Sequence, residues 1–170
     1  LVMGGSLGSR IINEAVRKAI REITAKYNVI HICGKGNVND SIAIPGYKQF
    51  EYVSDELPDF FALCDYIISR AGSNSIHEFL ALKKPMILIP LSTKASRGDQ
   101  ILNAKSFEKR GFAIVLNEEN LSGKTLLKAI TYLENDAQKM IEAMEKENHA
   151  NGTEIIFDIL MKKLKNKETD

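Results

Sequence analysis

The chain has 170 residues, 44% hydrophobic and 26% charged, with a formal net charge of +1. That balance suits one globular domain with a proper core. It excludes a basic field of nucleic-acid size, and no apolar run approaches the roughly 18–20 residues of a membrane span.

Leu1-Val2-Met3 runs straight into Gly4-Gly5 and reads as the last part of a strand, without the basic stretch of a secretory leader. The expectation is a domain excised from a chain that began earlier. Gly4-Gly5-Ser6-Leu7-Gly8-Ser9 follows, then a helix over about 10–27. Ile12, Val16, Ala19, Ile20 and Ile23 recur at three- and four-residue steps and share one face, with Lys18, Arg21, Glu22 and Lys26 largely on the other. Strand, glycine turn and helix make the first half of a βαβ unit. The glycine spacing is not G-x-G-x-x-G, and the next strand, 28–33, runs into Gly34-Lys35-Gly36 with no acidic residue to hold a dinucleotide ribose. A nicotinamide-binding domain is disfavoured.

His31 lies within that apolar strand and reads as a satisfied core histidine. Cys33 and Cys64 end apolar runs without C-x-x-C spacing, the pattern of buried free thiols in a reducing compartment. Residues 34–46 read as loop and 47–53 as a strand with Tyr52 and Val53 at its carboxyl end. Ser54 is placed to cap a helix over 56–64 whose apolar stripe is Leu57, Phe60, Phe61 and Cys64.

A strand over 65–69 then meets Arg70-Ala71-Gly72-Ser73-Asn74-Ser75-Ile76-His77-Glu78. A glycine and small polar residues suit a sharp strand-to-helix turn. Such a turn aims unpaired N–H groups and the positive end of a helix dipole at one point, where a phosphate is the usual occupant. Ser75 and Glu78 also have capping-box spacing, so a purely structural reading stands beside the functional one. The helix is expected over about 76–83, stopped by Lys83-Lys84-Pro85.

Met86-Ile87-Leu88-Ile89-Pro90 has the continuous apolar character of a strand buried on both faces of a parallel sheet. A loop over 91–97 leads to a helix over about 98–110, with Ser96 and Asp99 as its start signals. Gln100 and Asn103 share a face there, as ligands of a hydroxyl-rich molecule or as solvated surface amides. A last strand spans 112–116. The chain is helical and charged from Ser122 onward, with Leu126, Leu127, Ile130 and Leu133 on one face and Ile141 and Met144 on another. A final helix over about 151–165 leads into a lysine-rich tail, read as solvated or as a surface for a membrane or partner.

Strands alternating with helices at this rhythm indicate an α/β doubly wound, Rossmann-like parallel sheet. Ligands of such sheets bind beyond the carboxyl ends of the strands. Ser6, Val53, the 72–78 turn and the 91–100 loop should therefore converge on one edge.

Gly4-Gly5-Ser6-Leu7-Gly8, Arg70-Ala71-Gly72-Ser73 with Glu78, and Asp99-Gln100-x-x-Asn103-Ala104 together resemble the C-terminal domain of the family 28 GT-B glycosyltransferases of peptidoglycan synthesis. The resemblance covers residues 1 to about 160. It implies a single donor-binding domain over 1–170, with an N-terminal acceptor domain of similar fold absent. It further implies inverting transfer of N-acetylglucosamine from UDP-GlcNAc to undecaprenyl-pyrophosphoryl-MurNAc-pentapeptide, at the cytoplasmic face of the cell membrane. No cofactor is implied, and the lack of a D-x-D pair fits a metal-independent mechanism. Carried over by residue, Ser6 and its loop would meet the diphosphate, and Val53 would offer backbone groups to the uracil. Gly72, Ser73, Asn74 and Ser75 would cradle phosphate, Glu78 would hold the ribose hydroxyls, and Gln100 with Asn103 would read the sugar. The general base is expected in the absent half, so this chain alone should bind donor weakly or not at all and transfer nothing. Leu7 stands where the family often has glutamine, which leaves the acceptor-side contacts of that loop open. Other UDP-sugar enzymes (a glycolipid transferase or an epimerase) and a non-catalytic subunit of a two-chain transferase are the alternatives.

Overall fold

The computed structural model describes residues 1–5, 7–92 and 98–147. Six short strands form one sheet: β1 (Val2–Met3), β2 (Val29–Ile32), β3 (Tyr47–Phe50), β4 (Ile67–Ser69), β5 (Met86–Leu88) and β6 (Ala113–Val115). All pairs are parallel, in the order β3-β2-β1-β4-β5-β6. This is the doubly wound order expected from the alternation of elements.

The helices are α1 (Arg10–Thr24), α2 (Leu57–Leu63), α3 (Ser73–Ala81), α4 (Asp99–Lys109) and α5 (Gly123–Lys146), with a 3-10 turn at Glu118–Asn120. Right-handed crossovers place α1 on one face and α3 and α4 on the other. α1 packs along α5, while α2, α3 and α4 meet through edge-on aromatic pairs, Phe61 with Phe79 at 5.6 Å and His77 with Phe107 at 5.4 Å.

The core follows the sequence pattern. Ile67 and the run from Met86 to Ile89 are wholly buried, as a strand covered on both faces requires. The predicted α1 stripe is buried and gains Ala15 and Asn13. Asn13 is there for a polar reason. His31 is fully buried, with Nε2 on Asn13 Oδ1 at 3.0 Å and Nδ1 accepting from the Tyr47 hydroxyl at 2.8 Å. Burial first, and the nearby Arg17 guanidinium second, push its pKa down to about 3. The histidine is a neutral core residue, as its place in the apolar strand suggests. Both cysteines are free and buried, and burial raises their pKa values.

Several expected boundaries move. Strands are shorter than their apolar runs, although flanking residues still bond across the sheet: the Ile89 N–H donates to the Ser69 carbonyl at 2.8 Å and the Leu116 N–H to the Leu88 carbonyl at 3.0 Å. β3 ends at Phe50, so Val53 lies three residues beyond it, in a loop rather than at the strand's end. α2 starts at Leu57 without a side-chain cap; Ser54 instead accepts from the Leu57 N–H through its carbonyl, at 3.3 Å. The expected helix over 151–165, with its tail, lies outside the described residues. α5 runs unbroken for 24 residues from a capping box of Ser122 and Thr125. Its buried face is Leu126, Ala129, Ile130, Leu133, Ala137, Met140 and Met144; Leu127 and Ile141 are only partly covered.

Candidate functional site

β1 and β4 are neighbours, and their helices α1 and α3 depart to opposite faces. The crevice between their carboxyl ends is the topological switch point of the sheet. The register makes the alignment close: Met3 pairs with Ser69 and with Ile32, and Ser69 pairs with Leu88. The chain therefore leaves β1, β2, β4 and β5 at one level. The ends of these strands share one edge; of the segments expected to converge there, Ser6 and residues 93–97 lie outside the described residues.

The loop after β1 turns tightly, the Gly8 N–H donating to the Gly5 carbonyl at 3.0 Å. Gly8 has φ +75°, and a β-carbon there would stand 2.0 Å from the Cys33 carbonyl oxygen. Backbone contact with the loop after β2 demands glycine at this position. Ser6 lies outside the described residues, so its hydroxyl has no structural account. Leu7 beside it is 88% exposed. Ser9 ends the loop and caps α1, its Oγ accepting from the Ile12 N–H at 3.5 Å.

The turn after β4 differs from the sequence expectation in one informative way. α3 starts at Ser73, three residues earlier than expected, with Gly72 as its N-cap and no side-chain cap. The first intrahelical bond is Ile76 N–H to the Gly72 carbonyl, at 3.1 Å. Ser75 and Glu78 therefore sit within the helix, one turn past the position a capping box needs. The box is not formed because the small residues Ser73 and Asn74 continue the helix backward to the glycine. The N–H groups of Ser73, Asn74 and Ser75 meet no capping side chain among the described residues. The exposed Glu78 carboxylate has no partner there either. His77 hydrogen-bonds back to the Ser73 carbonyl through Nδ1 at 2.8 Å and rests on Phe107, away from the turn.

Gln100 and Asn103 share one side of α4 and reach back to this edge. Gln100 Oε1 accepts from the Leu91 N–H at 3.1 Å, and Asn103 Nδ2 donates to the Ala71 carbonyl at 3.1 Å. Half of each amide is thus committed to the loops. Neither is a freely solvated surface amide. α4 begins at Asp99 with Gly98 as N-cap; the other start signal, Ser96, lies outside the described residues. The Val53 side chain is buried at 8% exposure.

Sequence reasoning missed the residue that joins these loops. Arg70, seen only as part of a motif, is buried against Glu118 at 2.6 Å. Glu118 lies 48 residues away, just past the last strand of the sequence reading, and no local pattern marks it. A cavity of about 480 Å3 lined by Leu1, Tyr27, Val29, Cys64 and Tyr66 opens at the opposite, amino-terminal edge of the sheet. Doubly wound sheets bind ligands at the other end.

The glycosyltransferase family 28 C-terminal domain model matches residues 1–158. The chain belongs to this family. The family 28 domain is 55% identical over 166 residues to a Clostridium botulinum (strain Alaska E43) protein named UDP-N-acetylglucosamine--N-acetylmuramyl-(pentapeptide) pyrophosphoryl-undecaprenol N-acetylglucosamine transferase, covering 97% of this chain and 46% of that one. A protein of the same name from Clostridium perfringens (strain SM101) is 55% identical over 163 residues, 95% of this chain and 46% of the relative. The chain thus spans about half the length of the curated relatives it matches. Among solved structures, MurG of Acinetobacter baumannii is similar with a TM-score of 0.80 at 23% identity, over 95% of this chain and 48% of that one. The calicheamicin glycosyltransferase CalG4 follows the same course at 0.65 and 16%, over 84% and 34%. These two likenesses establish the fold that the family 28 domain shares with such enzymes.

Proposed function

We propose that this chain is the donor-binding domain of an inverting transferase. In this reading it carries N-acetylglucosamine from UDP-GlcNAc to undecaprenyl-pyrophosphoryl-MurNAc-pentapeptide, working with an N-terminal acceptor domain in a longer protein. The names borne by relatives at 55% identity support the donor and the lipid-linked acceptor. A lipid-linked acceptor puts the work at the membrane surface. The observation that carries the site is the uncapped start of α3 beside the loop after β1, with the Glu78 carboxylate unpartnered one turn on.

The diphosphate would lie between Ser6 with its loop and the N–H groups of Ser73, Asn74 and Ser75, with Gly72 allowing close approach. Three amides and a helix dipole suit an anion there. Glu78 would accept from both ribose hydroxyls, since a carboxylate matches a vicinal diol. The Val53 backbone would meet the uracil. The free halves of the Gln100 and Asn103 amides would face the sugar, a narrower role than sequence alone suggests. An acceptor hydroxyl attacks the anomeric carbon as its bond to the diphosphate oxygen breaks. The leaving UDP gathers negative charge on its phosphates, where amides fixed in advance favour the transition state over the ground state. The base that takes the acceptor's proton would come from the N-terminal domain.

Glu78→Ala in the longer protein is expected to weaken UDP-GlcNAc binding by ~1–3 kcal/mol, the scale of hydrogen bonds to a charged group. Calorimetric titration measures this. Unchanged donor affinity would remove Glu78 from the site.

A further inference from the structure

Arg70 leaves β4 beside the loops assigned above to the diphosphate, yet its guanidinium turns inward and is 8% exposed as a residue. Nη1 donates to the carbonyls of Ile89 at 3.2 Å and Pro90 at 3.4 Å. Nη2 donates to Ser9 Oγ at 2.7 Å and to Glu118 Oε1 at 2.6 Å. A guanidinium has five N–H donors, and these bonds occupy both terminal nitrogens. The Glu118 side chain is only 11% exposed, and its other oxygen accepts from the Ser92 N–H at 3.3 Å.

The bonded segments are what make the pair unusual. Ser9 closes the loop after β1 and caps α1; Ile89, Pro90 and Ser92 leave β5; Glu118 opens the turn after β6. One ion pair therefore joins the chain leaving β1, β4, β5 and β6. Burying such a pair adds little net stability over apolar packing. Its charge-assisted bonds do fix distances. A fixed distance is what two loops sharing one diphosphate require, since small misplacement of binding groups is costly to rate.

We propose that Arg70 and Glu118 are positioning residues that set the spacing of the loop after β1 against the start of α3, so that one diphosphate meets both. Arg70 is thereby a brace behind the site and not a phosphate ligand. The inference rests on the donor-binding reading.

Steady-state kinetics and UDP titration of the longer protein test it. Glu118→Gln preserves size and removes the charge; Arg70→Lys preserves the charge and loses the fork. Each is expected to raise KM for UDP-GlcNAc and Kd for UDP about tenfold, ~1.4 kcal/mol. The turnover number should fall by a similar factor, the split of a group that positions amides holding charge which develops only in the transition state. Amide exchange at residues 8–9 and 72–75 should quicken before any ligand is added. If Glu118→Gln fails to fold, Ser9→Ala removes a single strut and should show the same split. Glu134→Gln, which loosens the contact between Lys26, just past α1, and Glu134 on α5, serves as the control and should leave KM unchanged. An unchanged KM in Glu118→Gln and Arg70→Lys overturns the inference, as does an equal rise in the control. Absence of UDP binding by the unaltered protein would instead sink the donor-binding reading itself.

Discussion

At the scale of single residues, the informative positions are polar groups held inside the fold. His31 must stay neutral there, with Nε2–H donated to Asn13 and Nδ1 receiving the Tyr47 hydroxyl. Its folded pKa of about 3 lies below the ordinary 6.5. Between those values the unfolded chain binds the extra proton and the folded chain does not, so stability is full above about 6.5 and declines as pH falls toward 3. The limiting slope is about 1.4 kcal/mol per pH unit. Urea unfolding between neutral pH and mild acid should show that decline, and His31→Gln should flatten it. An unaltered slope in the variant would mean that other groups drive acid unfolding. The sequence made His31 readable because it lies within an apolar strand, the usual setting of a satisfied core histidine. It hid the Arg70–Glu118 contact, because side chains 48 positions apart meet only through the sheet order.

At the scale of elements, apolar pattern and start signals located every described strand and α-helix but not the 3-10 turn at Glu118–Asn120, and the other errors fell at the ends. Hydrogen bonding sets the ends and periodicity does not, as Val53 shows by leaving the ladder while staying buried. α3 is the instructive case. Ser75 and Glu78 have the letters of a capping box, but a glycine N-cap three residues before Ser75 starts the helix earlier. α5 has the real box, with the Thr125 N–H donating to Ser122 Oγ at 3.1 Å and the Ser122 N–H donating to Thr125 Oγ1 at 2.9 Å. Thermal unfolding should separate the two. Ser122→Ala is expected to cost about 1 kcal/mol, the usual worth of such a cap. Glu78→Ala should change stability by no more than about 0.5 kcal/mol, as for a surface substitution touching nothing structural. A Glu78→Ala loss as large as that of Ser122→Ala would make the carboxylate a structural group after all.

At the scale of the whole molecule, the proposed site lies where the strand order reverses. β1 and β4 lie side by side, and α1 and α3 start from the same edge toward opposite faces. The glycine-serine signals at 4–9 and 72–75 are far apart in the chain, and the parallel pairing of Met3 with Ser69 sets the strand ends they follow side by side. The alternation of elements makes this edge legible in the sequence. The sequence left unsaid what braces it, and that Gln100 and Asn103 partly serve the loops themselves. The most direct test is amide hydrogen exchange in the longer protein with and without UDP-GlcNAc. Slowed exchange is expected at residues 4–9 and 72–78, with no change around Leu1, Val29 and Tyr66 at the opposite edge. Protection at that opposite edge, or none at either loop under saturating donor, would contradict the account.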